Sequence, residues 1–450
     1  MDTTATSLAH VLTGLRGELR LPGTAGYDTS RAVFNGMIDR RPAAVVHCAD
    51  ADDVSLAVRA ARRLDLEITV RGGGHGVAGN AVRDGALMLD LSGLTSLDVV
   101  DRRATAGAGL LLGEFDRATG AHGLATPLGV VSLTGIAGLT LGGGIGWLNG
   151  RHGLACDNLV AAEVVVADGD VVRVDEDHHG DLLWGLRGGG GNFGVVTSFS
   201  YRLHPVATVL AGGLSFPGTV LRETLRAYDE VAGTTPDELS TAAALGRGPD
   251  GGATMSVAAC WCGDVDEGRD VLRRLTGIPG AVGEFGAMSY PDWQCVPDAG
   301  YPDGRRHYWK AGFLRALPDA AVDVLARLVP EMPSPYSGIG LQQMHGAAAR
   351  VDPTATAFAH RADQYDFLLL SQWPSADDDA RNVAWSRRVF DAMSPFLADA
   401  VYVNNLGEEG TDRVRSAYGP NYDRLVALKR AWDPDNVFRA NQNVVPEPAP

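Results

Sequence analysis

The 450-residue sequence has no apolar stretch approaching the ~20 uninterrupted residues that a membrane-spanning helix requires. Its first twenty residues also lack the basic start, apolar run and twin arginines of an export signal, so the expected location is cytoplasmic. Cysteine is scarce. The five residues Cys48, Cys156, Cys260, Cys262 and Cys295 are odd in number, scattered and without a CxxC pair, which argues against a disulfide framework and a zinc site. Free thiols are the expectation, and no metal ligand set is expected. Cys260 and Cys262, two apart in an apolar run, would share one face of a strand. Basic residues are in deficit, with 39 Lys and Arg against 55 Asp and Glu, for a net charge of -16. Such a chain repels phosphate backbones and anionic lipid heads, which excludes nucleic acid and membrane surfaces as natural partners. No internal repeat, low-complexity tract or long charge run interrupts an otherwise ordinary globular composition.

What the chain has in abundance is glycine, 57 residues gathered into clusters. A strand–helix–strand unit leads to the first: residues 43–48 and 66–70 read as short buried strands. Between them, residues 54–64 carry apolar side chains at helical spacing behind the acidic start of residues 50–53. The second strand runs into Arg71-Gly-Gly-Gly-His-Gly76, where consecutive backbone amides can cradle a phosphate. Further strands are expected at residues 86–91, 104–108, 163–167 and 171–174, the last two joined by an Asp168-Gly169 turn. A second cluster spans residues 135–146 and a third residues 188–194. The third satisfies G-x-G-x-x-G at Gly189, Gly191 and Gly194 but runs into the strand-like residues 195–201 rather than a helix. A dinucleotide fingerprint needs a helix N-terminus at that point, so a Rossmann fold and an NAD-dependent dehydrogenase are set aside. After His204-Pro205 the texture changes: residues 209–216, 254–262, 308–314, 338–345 and 365–373 read as long strands, with helical stretches such as residues 319–328 between them. An amphipathic helix over residues 421–432 stops at Asp433-Pro434.

The ordered set Arg71-Gly-Gly-Gly-His-Gly76 with Asn80, Gly135-Ile-Ala-Gly-Leu-Thr-Leu-Gly-Gly-Gly-Ile-Gly-Trp147, Gly153-Leu-Ala-Cys-Asp-Asn-Leu159, Gly191-Asn-Phe-Gly-Val-Val-Thr197 and the tail from Asn421 to Asn443 closely resembles the FAD-linked oxidases of the vanillyl-alcohol-oxidase superfamily, in the berberine-bridge-enzyme-like branch. The resemblance covers nearly the whole chain. It implies an α+β protein: a PCMH-type, two-subdomain FAD-binding domain in residues 1–206 (core 33–206), and a substrate domain in residues 207–400 with a large antiparallel sheet flanked by helices. The berberine-bridge-like segment 401–450 would return to the FAD domain. It further implies that His75 bonds covalently to the 8α-methyl of the isoalloxazine, which fixes the ring and raises its electron affinity. Relatives with a second, cysteinyl link carry a G-x-C-P-x-x-G pattern. Here Gly129-Val-Val-Ser-Leu-Thr-Gly135 places Val131 at that position, and Cys156 lies well downstream, so a single link through His75 is expected. By the same resemblance Arg71, Gly72, Gly73, Gly74, Gly76, Asn80, Thr134, Gly135, Gly138, Thr140, Gly144, Trp147, Asp157, Gly194, Val196, Asn441 and Asn443 would contact FAD.

For catalysis the resemblance points to Tyr402, as the base that removes a substrate proton, and to Gln372, facing the flavin. Trp309, Gln343, His345 and His360 would line the substrate pocket. Gln343 and His345 share a strand face by period-two spacing. Read from residue type alone, each of these side chains is as readily an ordinary, satisfied sheet residue. The implied function is an oxidase that passes hydride from a small alcohol, sugar, amine or phenolic metabolite to FAD, with dioxygen reduced to hydrogen peroxide, as in the tailoring steps of secondary metabolism. A dehydrogenase with another acceptor and a flavin-bearing metabolite-binding protein remain open, as does the choice between monomer and homodimer.

Overall fold

A computed structural model describes residues 3–248 and 251–446 of the chain. Among the described residues the N-terminal half holds, besides a short pairing of Leu124–Ala125 with His204–Pro205, two large sheets. One has four strands in the order Glu18–Arg20, Ala44–His47, Leu87–Asp90, Ile68–Arg71, parallel except at the first pair. The other has five antiparallel strands in the order Leu97–Val100, Arg103–Gly107, Val195–Arg202, Leu159–Val165, Val171–Asp175. Helix Ala51–Arg63 packs against both sheets. Its buried side is mostly small (Ala57, Ala60, Ala61 with Val54 and Val58), so both sheets can approach its axis. Asp50 caps it by accepting a hydrogen bond from the Asp53 amide, and Arg62 and Arg63 at the other end suit the helix dipole.

Residues 208–373 build a seven-stranded antiparallel sheet in the order Val282–Ser289, Thr208–Pro217, Ala253–Trp261, Leu239–Arg247, Gly338–Met344, Gln364–Trp373, Arg306–Leu314. Helices Leu221–Ala232, Val265–Thr276, Asp319–Leu328 and Asp379–Met393 bury one face of it around Ile339, Leu341, Phe367, Leu369 and Trp385. The strands alternate, so the neighbours of those residues (Gln342, Asp366, Leu368, Leu370) point to the opposite face, over the N-terminal half. The C-terminal stretch packs back into the first core through Val401, Tyr418, Leu425, Phe438 and Val444. Cys260 and Cys262 share one buried apolar cluster, and all five cysteines are free. Among the described residues no helix is long and apolar enough to cross a membrane, and no cluster of metal-ligating side chains occurs.

Candidate active site

The glycine clusters are distant in sequence and adjoining in space. Gly73 and Gly135 meet backbone to backbone: a Cβ on either would collide with the amide nitrogen of the other. Neither can be replaced without separating the first two clusters. Gly142, Gly143 and Gly144 serve a different purpose, because added Cβ atoms there would strike Asn404, Phe358 and Ala155. That stretch, with positive φ at Gly143 and Gly144, lets the tail and the roof close down on the N-terminal half. Gly76, Gly138 and Gly191 face open space. The space is a cavity of about 390 Å3 whose wall draws on all three clusters, the roof strands and the tail. Of the residues expected to meet FAD, it gathers Gly72, Gly73, Gly74, His75, Gly76, Asn80, Thr134, Gly135, Gly138, Gly194, Val196 and Asn441. Trp309 and Tyr402 are also on the wall, as is Val131, whose side chain cannot form a thioether.

His75 projects from the first cluster with its Nε2 buried and without a hydrogen-bond partner. Burial pushes its imidazole down to about 4, so it is neutral at pH 7 and keeps a lone pair on the ring. Tyr402 Oη accepts hydrogen bonds from the Gly144 amide (2.9 Å) and Asn404 Nδ2 (2.8 Å), while burial drives the phenol well above its ordinary value.

Among the wall residues that the sequence does not single out are two polar side chains on the roof strands. Asp366 is a fully enclosed carboxyl on the cavity side of the strand Gln364–Trp373. Asn405 Nδ2 donates to its Oδ2 at 2.7 Å, its Oδ1 has no partner, and burial pushes it up to about 7. As the lone charge in Gln-Tyr-Asp-Phe-Leu-Leu-Leu-Ser-Gln-Trp373, it carried a readable signal. Gln342 also lines the cavity and donates to the Ile145 carbonyl at 3.3 Å.

Other expected contacts lie elsewhere. Arg71 turns away from the cavity to the Ser30 carbonyl (3.0 Å) and the buried carboxylate of Asp90 (3.5 Å). Thr140 shares a hydrogen bond with Tyr201 inside the core, and Gly144 meets Tyr402 and Ala155. Trp147 packs on Trp293, and Asp157 pairs with the buried Arg361 at 2.7 Å. Asn443 is off the wall, although its Oδ1 is buried and unpartnered. In the roof, strand alternation decides the outcome. Gln343 faces the helices, accepting from Thr241 and donating to the Ala232 carbonyl and Thr235. His345 joins it on a separate cavity of about 460 Å3. His360 lies near the Ser416 and Ala417 carbonyls (2.9 Å from each), away from the main cavity. Gln372 is on the cavity side of its strand but beyond the wall; it accepts from Arg305 and donates to the Gly300 carbonyl, holding the loop 296–305.

The wall fits a flavin dinucleotide. Exposed glycine backbone can meet a pyrophosphate, apolar Val70, Leu141 and Leu368 can flank an aromatic ring system, and the orphaned His75 Nε2 and Asn441 Oδ1 offer polar contacts. Residues 42–175 match the family described as FAD binding domain, and residues 401–445 the family described as berberine and berberine like. The chain is 31% identical to (R)-6-hydroxynicotine oxidase of Paenarthrobacter nicotinovorans, over 96% of this chain and 97% of that one. It is 30% identical to an FAD-linked oxidoreductase of Dictyostelium discoideum, over 90% and 89%. The crystal structure of 6-hydroxy-D-nicotine oxidase from Arthrobacter nicotinovorans superposes with a TM-score of 0.88 at 28% identity, covering 96% of this chain and 99% of that one. Berberine bridge enzyme shares the fold, with a TM-score of 0.90 at 21% identity and coverage of 100% and 99%. The cavity, the two matched segments and relatives aligned from end to end lead to one conclusion: the chain belongs to the berberine-bridge-like family of FAD-linked oxidoreductases.

Proposed function

We propose that this oxidoreductase takes a hydride from a small organic substrate onto FAD tethered through His75 alone, with dioxygen as the final acceptor and hydrogen peroxide as product. The observation that carries the reading is the meeting, in one cavity, of a neutral histidine with an orphaned nitrogen and a buried carboxyl with an orphaned oxygen. When bound, the flavin supplies the hydride acceptor. The chain supplies the proton chemistry. Asp366, balanced near neutrality, takes the substrate proton on Oδ1 while Asn405 holds Oδ2. Tyr402 is protonated at pH 7. With two N–H groups donating to its oxygen, its own O–H is left to orient a substrate oxygen or nitrogen, or to relay a proton to Asp366. Trp309, Leu368 and Leu370 give the substrate an apolar wall. Gln372 is assigned to holding the loop 296–305 rather than to catalysis.

The test begins with acid precipitation of wild type, His75→Ala and Cys156→Ala. Yellow colour should stay in the pellet of the first and third and be lost from the second; colour released from the wild type would refute the tether. Anaerobic mixing with a panel that starts from (R)-6-hydroxynicotine, the compound in a relative's name, and extends to sugars, secondary alcohols and phenols should bleach the flavin for one class. Admitting air should then restore the colour and release hydrogen peroxide. A bleached flavin that stays bleached in air would assign a different acceptor.

A further inference from the structure

Between His75 and the roof lies a residue pair that the reaction does not use. Phe34 stacks on the His75 imidazole with ring centroids 3.9 Å apart and planes 15° off parallel. On its other side it stacks on His307, at 4.3 Å and 27°. The backbone continues the contact: the Phe34 amide donates to the Gly74 carbonyl at 3.1 Å, one residue before His75, and the Phe34 carbonyl accepts from Gly304. Asn35 completes it. Its Nδ2 donates to the carbonyls of Val77 (2.9 Å) and His307 (3.0 Å), and its Oδ1 accepts from the His307 amide (2.9 Å). Two consecutive residues thus fasten the loop that carries His75 to the roof strand Arg306–Leu314, and Phe34 is sandwiched between two imidazoles. Phe34 and Asn35 are themselves buried, and Phe34 is packed with Val77, Trp309 and Leu370, so the arrangement is not a chance surface stack.

We propose that Phe34, backed by His307, is a positioning clamp that sets the ring plane of His75 for covalent attachment of the flavin. The inference rests on the tether proposed above. Attachment forms one C–N bond between an imidazole nitrogen and the 8α carbon. It breaks one methyl C–H bond and one imidazole N–H bond. The two protons and two electrons so released pass to the ring system and are then removed by dioxygen as hydrogen peroxide. The nitrogen lone pair must point at the 8α carbon within near-attack range, and among the described residues Phe34 is the ring stacked on this imidazole, which a glycine-flanked loop carries. The stack supplies that restraint, and its apolar surroundings, with burial as the main cause, keep both imidazoles neutral.

The experiment follows the tethering itself. Flavin-free protein, prepared from riboflavin-starved cells, is mixed with FAD in air, and the share of flavin that resists acid precipitation is recorded over time. Total flavin bound before acid treatment is read from its absorption. Wild type, His75→Ala, Phe34→Leu, Phe34→Tyr and His307→Leu are compared. We expect Phe34→Leu to bind FAD but to tether it about tenfold more slowly, a modest loss for a misaligned attacking group. Phe34→Tyr, which keeps the ring, should restore the rate to within about twofold on the same argument. Tethering by Phe34→Leu at the wild-type rate, or tethering by Phe34→Tyr as slow as Phe34→Leu, would overturn the clamp. If Phe34→Leu is insoluble, His307→Leu decides: slower tethering supports the clamp and an unchanged rate overturns it. Acid release of flavin from the wild type would overturn the tether and the clamp together, whereas a tethered wild type beside an equally fast Phe34→Leu overturns the clamp alone.

Discussion

Asp366 shows how a single side chain exchanges stability for chemistry. Its carboxyl, pushed up to about 7 by burial, is ionised only above neutrality, so substrate-driven bleaching of the flavin should rise about tenfold per pH unit below 7 and level off above it. Asp366→Asn should lose the rise and slow bleaching about 10²–10⁴-fold, the usual weight of a general base, measured by anaerobic stopped flow. If bleaching is unaffected by the substitution, the proton goes elsewhere, and Tyr402→Phe becomes the variant to measure. Stability should move the other way. A carboxyl whose folded value lies above its ordinary one loses stability as pH climbs from the ordinary value to the folded value, and the penalty is complete above about 7. Asp366→Asn does not titrate, so its melting temperature at pH 8 should exceed that of the wild type, with the difference gone near pH 3. His75 and Tyr402 were named from sequence because motifs flank them. Asp366 stands out in the sequence as a lone charge in an apolar strand, but only its strand register, one residue in two, decides that it faces the wall.

At the level of elements, that register separated legible from illegible. The strands Gln364–Trp373 and Arg306–Leu314 are long, rich in aromatic and aliphatic residues, and were readable within two residues. Leu239–Arg247 has three consecutive alanines at its centre and Val282–Ser289 is an edge strand with two glycines, so neither shows the alternation that marks a strand. Gln343 and His345 border one cavity, although the strand ends at Met344, and sequence does not say which strand face meets the helices. The tail helix Tyr422–Trp432 was legible from its periodicity, whereas its anchor was not. Lys429 and Asp433 form a fully buried pair at 2.7 Å, and Lys429 Nζ also donates to the carbonyls of Asn192 and Phe438. Asp433 in turn accepts from the Val437 and Phe438 amides. The helix is thus pinned to the third glycine cluster and to the chain leading to Asn441. Lys429→Met removes one partner and strands a buried carboxylate, so it should destabilise the protein by about 3–5 kcal/mol in urea unfolding. It should also loosen the third cluster, raising the acid-independent loss of flavin from His75→Ala/Lys429→Met relative to His75→Ala alone.

Across the whole molecule, the cavity exists only because the roof closes on the N-terminal half, and the closure rests on a few buried polar links. Asn149 Nδ2 donates to the Gln343 carbonyl, Asn35 ties Val77 to His307, and Arg361, with a fully buried side chain, pairs with Asp157 while donating to Thr356 and the Ala348 carbonyl. Asp157 lies in the Gly-Leu-Ala-Cys-Asp-Asn segment that resemblance assigned to the cofactor. Its structural task is instead to neutralise a cation carried by the loop before the strand Gln364–Trp373. The same loop brings Phe358 against Gly143 and against Tyr402, so the ion pair acts on the site through packing. Asp157→Asn keeps the shape and the bond to the Leu154 amide but leaves Arg361 buried and uncompensated, which should cost about 3–5 kcal/mol. Because the pair bridges the two halves, the loss should fall on their docking. Urea unfolding followed by flavin fluorescence should then precede unfolding followed by far-UV circular dichroism in Asp157→Asn, while the two transitions coincide in the wild type. Coincident transitions in the variant would mean that Arg361 stabilises the roof alone, and that the halves are held together by the packing of Asn404 and Phe358 into the cleft that Gly142 and Gly143 leave open.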